Sequence, residues 1–228
     1  MKKELTDWRY ERKFVVEEMS IHEIEHLIKH NPAIFFEIFY ERVVNNIYFD
    51  SYGMRNYNEN LNGNAERVKI RIRWYGKTFG LIKGAILELK IKNNELGDKK
   101  TFQLAPFVLD KSFSLDFLQK AFLKSNLPEW LIEELKISHP SLLNTYKRRY
   151  FRSANKKYRI TLDWNMIFFK IKKSNNNFDE RVLDETTKVL EIKYLLKDYE
   201  TESFISQYFP FRLVAHSKYI KGIDFLNL

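Results

Sequence analysis

Three Glu-x-Lys pairs, Glu11/Lys13, Glu88/Lys90 and Glu191/Lys193, stand on separate stretches of this chain, each inside a run that alternates charged and apolar residues. Residues 67–75 (RVKIRIRWY) keep the same rhythm, with Lys69, Arg71 and Arg73 between Val68, Ile70, Ile72 and Trp74. Arg148 lies between Tyr146 and Tyr150 in a further run, and Arg159, Thr161 and Asp163 alternate in another. Residues of these types at this density suit one kind of chemistry. Guanidinium forks hold phosphate oxygens bidentately, and ammonium groups act on them as compact point charges. The glutamates between them can hold a hard divalent cation, Mg²⁺ or Mn²⁺, that bridges to the same oxygens.

The elements that must position these groups follow from the spacing. A period of two places residues i, i+2 and i+4 on one face of a strand. Strands are therefore expected at 10–16, 46–50, 67–75, 86–92, 189–195, 145–152, 158–163 and 166–172, with a weaker case at 100–104. Helices are expected between them at 20–30, 112–125 and 128–135, and a short final helix at 201–207. Ser20 and Glu23 form a capping box for the first, and Pro128 takes an N1-like position in the third. Many strands with a few helices predict an α+β fold dominated by antiparallel pairing. One such strand alone reads as an ordinary sheet with its polar face in water. The set reads differently, because its polar faces are mostly Arg, Lys and Glu. If the sheet closes into a barrel, those faces turn inward, and a closed interior dense in cations needs a compensating anion.

Composition agrees. The chain has 228 residues, no cysteine, and 44% hydrophobic residues, with 19 Phe, 13 Tyr and 4 Trp. That supports one packed domain over residues 1–228 and excludes a disulfide scaffold or a thiolate metal site. A formal net charge of +9 calls for an acidic partner. No run is apolar for long enough to span a membrane and none has the shape of a secretory signal, so a cytoplasmic location is expected.

Taken in order, RYERKF, NNIYFD, RVKIRIRWYG, ILELKIK, YKRRYF, YRITLDWN, VLEIKY and HSKYIKG resemble the vacuolar transporter chaperone (VTC) domain of the triphosphate tunnel metalloenzyme, or CYTH-like, superfamily. The resemblance implies a closed eight-stranded antiparallel barrel, the triphosphate tunnel, with helices packed outside. It implies an ATP-dependent polyphosphate polymerase that moves the γ-phosphoryl of ATP onto a growing chain and releases ADP with a divalent metal. Lys13, Arg71, Arg73, Lys90, Arg148 and Lys218 would contact the reacting phosphates, and Ser217 would add a hydroxyl. Lys69 and Lys193, on the same charged faces, join the phosphate-binding set. So does one lysine after the fourth charged strand, a place that Lys99 or Lys100 can fill, with Lys100 taken. Glu191 matches the family's metal-binding glutamate, with Glu11 and Glu88 as helpers. Two positions depart from the pattern. Arg9 replaces the first Glu of the superfamily's E-x-E-x-K, which favours VTC-type over hydrolase-type chemistry, and Ala215 stands where eukaryotic members have a basic residue. A triphosphatase or nucleotide cyclase, and a non-catalytic polyphosphate or inositol pyrophosphate sensor, are the alternatives. Members of the family can be coupled to membrane export, so a membrane-protein partner is open, and the oligomeric state is not readable.

Two other patterns are read as decoys. His22-Glu23-Ile24-Glu25-His26 matches the H-E-x-x-H zinc motif, but Glu23 is already committed to the cap and no third ligand is evident. Basic residues interleaved with aromatics suit single-stranded nucleic acid. Here Tyr48, Phe49, Trp74 and Tyr75 are expected in the barrel wall and core instead, which argues against a nucleic-acid partner.

Overall fold

The computed structural model describes residues 9–94, 96–196, 198 and 202–228. Eight strands make the main body: β1 (Arg9–Val16), β2 (Phe35–Ser51), β3 (Glu66–Tyr75), β5 (Ile86–Asn93), β6 (Leu96–Gln103), β8 (Ser138–Ser153), β9 (Arg159–Lys170) and β11 (Lys188–Leu195). They pair in the order β9-β11-β1-β6-β5-β3-β2-β8, and β8 returns to β9, so the sheet closes into an antiparallel ring. The short β10 (Arg181–Asp184) adds to β9, while β4 (Gly80–Ile82) and β7 (Phe107–Leu109) form a separate ribbon.

The expected alternation holds where it was strictest. β3, β5 and β11 turn Ile70, Ile72, Trp74, Leu87, Leu89, Leu190 and Ile192 outward into buried clusters. Helices α3 (Leu115–Leu123) and α4 (Glu129–Lys136) cover one cluster, α1 (Ile21–Lys29) covers the other, and α2 (Arg55–Leu61) joins β2 to β3. The Ser20/Glu23 capping box forms as expected. Pro128 is the N-cap of α4 rather than its first helical residue.

Several boundaries differ. The runs 158–163 and 166–172 are one strand, β9, in which Asn165 adopts φ 49°. That left-handed residue shifts the parity, so Asp163 and Met166 face the same side. β2 and β8 are longer than their readable cores because they pair along nearly their whole length, through bulges. The segment expected as the final helix is α5 (Glu202–Ser206), and Thr201 lies outside the described residues. It is not the last: α6 (Lys218–Leu226) follows it, built from the SKYIKG segment.

α6 enters the ring. Among the described residues β1 meets β6 through Arg9↔Gly97 and Tyr10↔Leu96 alone. Further along β1, Leu213 bridges Phe14 and the Val214 N–H donates to the Lys13 carbonyl at 3.0 Å. The chain passes through this seam, and α6 then lays Tyr219 and Ile223 against inward-facing Val44, Leu142, Phe168 and Val189. Burying each such side chain contributes about 1.5–3 kcal/mol. Gly222 is the residue that permits the approach. A Cβ there would lie 2.5 Å from Leu142 Cδ2 and 2.6 Å from Phe168 Cδ1. Gly222→Ala, ordinarily helix-stabilising by about 1 kcal/mol, is therefore expected to lower the melting temperature, with overpacking costing about 1–3 kcal/mol. A melting temperature equal to or above wild type would contradict this packing.

Candidate functional site

The inward face of the ring carries Lys13, Lys69, Arg71, Arg73, Lys90, Lys99, Arg148 and Lys193, and Lys218 joins them from α6. Glu11, Glu88, Asp163 and Glu191 stand among them. Cations outnumber carboxylates about two to one inside a closed sheet. The charges sort into three groups and one exception.

Arg148 on β8 lies opposite Asp163 on β9 and donates to it twice, Nε to Oδ1 at 2.5 Å and Nη2 to Oδ2 at 2.6 Å. Lys218 adds a third bond to Oδ2 at 2.6 Å, which ties α6 to the barrel wall. Burial opposes ionisation of Asp163, but Arg148 and Lys218 outweigh it and hold the carboxyl at about 2.

Arg71 and Glu88 face each other across β3 and β5, with Nε and Nη2 donating to Oε2 at 2.8 and 2.6 Å. Lys99 reaches the other oxygen at 3.1 Å, and Arg73 stands 3.6 Å away. Arg73 also donates through Nε to Asn46 Oδ1 at 2.8 Å, and Asn46 is held by Asn144. These two asparagines were not anticipated. The only sequence signal was that Asn46 shares a face with Tyr48 and Asp50 in NNIYFD.

Glu11 and Glu191 form the third group. Lys90 donates to Glu11 at 2.6 Å, Lys13 lies 3.8 Å from Glu191, and Lys193 stands between the two carboxylates, 3.7 Å from Glu11 and 3.2 Å from Glu191. Burial and the Glu191 charge push the Glu11 carboxyl up, but Lys90, Lys193 and Lys13 together bring it down to about 2. Burial, with neighbouring Lys90, lowers Lys13 to about 8. Among the described residues no group of three or more acidic or imidazole side chains is placed to hold a metal ion. Glu88 does not join Glu11 and Glu191, because Arg71 and Lys99 engage it elsewhere on the wall. Two convergent carboxylates still fit Mg²⁺ or Mn²⁺, which take one or two protein carboxylates and complete their shell with water and phosphate oxygens.

Lys69 is the exception. Its ammonium donates to Asn60 Oδ1 at 2.7 Å and to Ser217 Oγ at 3.1 Å, and among the described residues it has no carboxylate within ion-pair distance. Burial, reinforced by Lys13, Lys90 and the nearby arginines, lowers it to about 6. An anion bound here must raise that value again. Tripolyphosphate binding at pH 8 is therefore expected to draw in a proton at Lys69, and affinity should fall as pH rises above about 6. Titration calorimetry in buffers of different ionisation enthalpy reads the uptake directly. Proton release, or an uptake unchanged in Lys69→Met, would contradict it.

One sequence expectation is corrected by register. Lys100 pairs with Leu89 on the outer face and lies 5.7 Å from the Trp130 ring, while its neighbour Lys99 pairs with Lys90 inside. Asp50, also on the inner face, accepts from Tyr219 at 2.6 Å and from the Asn56 and Tyr57 amides. Ser217 accepts from Lys69 and also caps α6. His22, His26 and His30 are exposed, and Glu25 of that motif pairs with Arg149. Trp74 and Phe49 are core and Tyr48 is buried, whereas Tyr75 is half exposed. No helix among the described residues is long and apolar enough to cross a membrane.

The VTC domain profile matches residues 8–227. No curated protein matches the sequence. Among solved structures, the PH1819 protein of Pyrococcus horikoshii is similar with a TM-score of 0.51 at 14% identity, over 95% of this chain and 97% of that one. A candidate adenylyl cyclase of Hippeastrum, HpAC1, described as having a dominant triphosphatase activity, gives 0.52 at 13% identity over 94% and 95%. A candidate adenylate cyclase of Vibrio parahaemolyticus gives 0.53 at 11% over 92% and 95%. At these identities the likeness is one of fold.

Proposed function

The chain belongs to the VTC domain family, and from that premise we propose that it is a polyphosphate polymerase, transferring the γ-phosphoryl of ATP to a phosphate chain inside the ring and releasing ADP. The observation that carries this reading is the excess of inward cations over carboxylates in a closed sheet, with Lys69 lacking a carboxylate partner among the described residues. Phosphoryl transfer asks mainly for positioning and for neutralisation of charge on the phosphate oxygens. Arg71 and Arg73 from β3 and Arg148 from β8 offer planar forks, each already oriented by a carboxylate or an amide. Lys13, Lys69, Lys90, Lys193 and Lys218 add point charges around them. The acceptor is a phosphate oxygen, anionic at neutral pH, so no side chain is assigned as general base. Glu11 and Glu191 would hold the divalent metal, which when bound supplies further neutralisation of the phosphate oxygens.

Incubation with ATP and Mn²⁺ tests the reading. Long polyphosphate with ADP supports it. Orthophosphate as the only phosphate product would replace it with a triphosphatase, the reading that the activity described for the Hippeastrum protein favours. Tight tripolyphosphate binding without turnover under any divalent metal would leave a sensor. Glu191→Gln is expected to lower metal-dependent turnover about 10²-fold, the upper range for disturbing a metal site, while tripolyphosphate still binds without metal. Unchanged turnover would remove Glu191 from the metal set.

A further inference from the structure

The ring has a second end, away from α6, and it carries a charge cluster of which the reaction uses Lys193 alone. There β1 begins at Arg9, β11 ends at Leu195, β8 ends at Ser153 and β9 begins at Arg159. A cavity of about 340 Å³ opens between these strand ends, lined by Arg9, Arg152, Arg159 and Lys193, with Lys156 and Lys157 from the turn that joins β8 to β9.

The register makes this arrangement unfavourable by itself. Arg152 lies directly opposite Arg159, and Arg159 lies opposite Lys193. Like charges placed opposite each other on adjacent strands are destabilising. Compensation is sparse. Lys157 has Asp198 at 3.2 Å, and Lys193 is drawn toward Glu191 and Glu11. Among the described residues Arg9, Arg152 and Arg159 have no carboxylate within ion-pair distance. Arg152 packs its guanidinium 5.9 Å from the Phe36 ring centre, and its Nε is buried without a hydrogen-bond partner among the described residues. Arg159 is held below its ordinary range by partial burial and by the charges of Arg9 and Arg152, which places the three within electrostatic reach of one another.

The deep groups differ, since nearly every cation there is tied to a carboxylate or an amide. Between the two regions, Asp163 and Arg159 are four residues apart on β9, roughly 13 Å of extended strand. A short phosphate chain held beside Lys218 does not cover that distance, and a longer one does.

We propose that Arg9, Arg152 and Arg159 form a mouth subsite that grips polyphosphate where it leaves the ring, so that long chains are held at two places and tripolyphosphate at one. The proposal rests on the reading of the ring interior as a polyphosphate site. It also gives Arg9 a task of its own: the residue that replaces a carboxylate of the wider superfamily pattern becomes part of the grip on the product.

The test is a double variant, Arg9→Gln with Arg159→Gln, both exposed positions where the fold has little to lose. Binding of tripolyphosphate and of long-chain polyphosphate is measured for wild type and variant, with melting temperature as the folding control. The expected result is an unchanged tripolyphosphate affinity and a loss of about tenfold or more for the long chain, the scale of one or two charge-assisted hydrogen bonds. Equal loss for both ligands, or no loss for the long chain, would overturn the mouth subsite. Displacement of a single-stranded oligonucleotide, but not of polyphosphate, by the substitutions would overturn it in favour of nucleic acid. Wild-type protein that binds long chains through these arginines yet makes none from ATP would sink the polymerase reading and leave the subsite standing.

Discussion

Arg71→Ala is expected to lower turnover of ATP with Mn²⁺ about 10²–10³-fold, the range for removing one preorganised donor from a site of developing charge. Arg71 comes from the middle of β3, where Ile70 and Ile72 fix the backbone by packing outward into the core. Its Nε and Nη2 are both taken by Glu88, which leaves Nη1 without a hydrogen-bond partner among the described residues. Glu88 thus orients the fork, and the substitution has a structural cost of its own. The Glu88 side chain is 2% exposed and would keep only Lys99 at 3.1 Å and Arg73 at 3.6 Å. Breaking such a buried pair costs about 3–5 kcal/mol. The double variant Arg71→Ala/Glu88→Gln separates the two effects. It should recover much of the melting temperature and little of the rate. A double variant with near-wild-type turnover would reduce Arg71 to a structural counter-ion of Glu88.

What could be read before the fold was known, and what could not, follows from how each strand is constrained. β3, β5 and β11 were legible because charged and apolar residues alternate without a fault, so one residue's direction determines all the others. At 98–101 the chain reads Asp-Lys-Lys-Thr, and two adjacent lysines carry no parity. Only the pairing of β5 with β6 decides that Lys99 faces in and Lys100 out. β9 hid its continuity for a related reason, since Asn165 in the left-handed region breaks the period that defines a strand. The three-way contact at Asp163 depends on residues 15 and 55 positions away, and no local pattern encodes it. α6 is hard to read as a helix because it is short and Gly222, a poor helix former, lies in its middle. The glycine is explained once the helix sits inside a ring that leaves no room for a larger side chain.

The Asp163 contact also gives the sharpest test of what the inward cations are for. Asp163→Asn removes the one carboxylate shared by Arg148 and Lys218, whose side chains are only 6% and 11% exposed. At neutral pH the expected loss is about 3–5 kcal/mol, the cost of leaving buried charge uncompensated. The pH dependence has a definite sign. The carboxyl is held at about 2, below its ordinary 3.8, so its contribution is complete above about 4 and disappears as the pH falls through 2. The variant should therefore lose little further stability over that acid range, where wild type loses this term. Tripolyphosphate then distinguishes a structural bridge from a ligand site. If Arg148 and Lys218 are phosphate ligands, an anion can take the place of the missing carboxylate. Saturating tripolyphosphate should then raise the melting temperature of Asp163→Asn by more than it raises that of wild type. An equal increment in both proteins would mean that Arg148 and Lys218 serve the wall of the ring alone, and that the phosphate chain is held by Arg71, Arg73 and the lysines across from them.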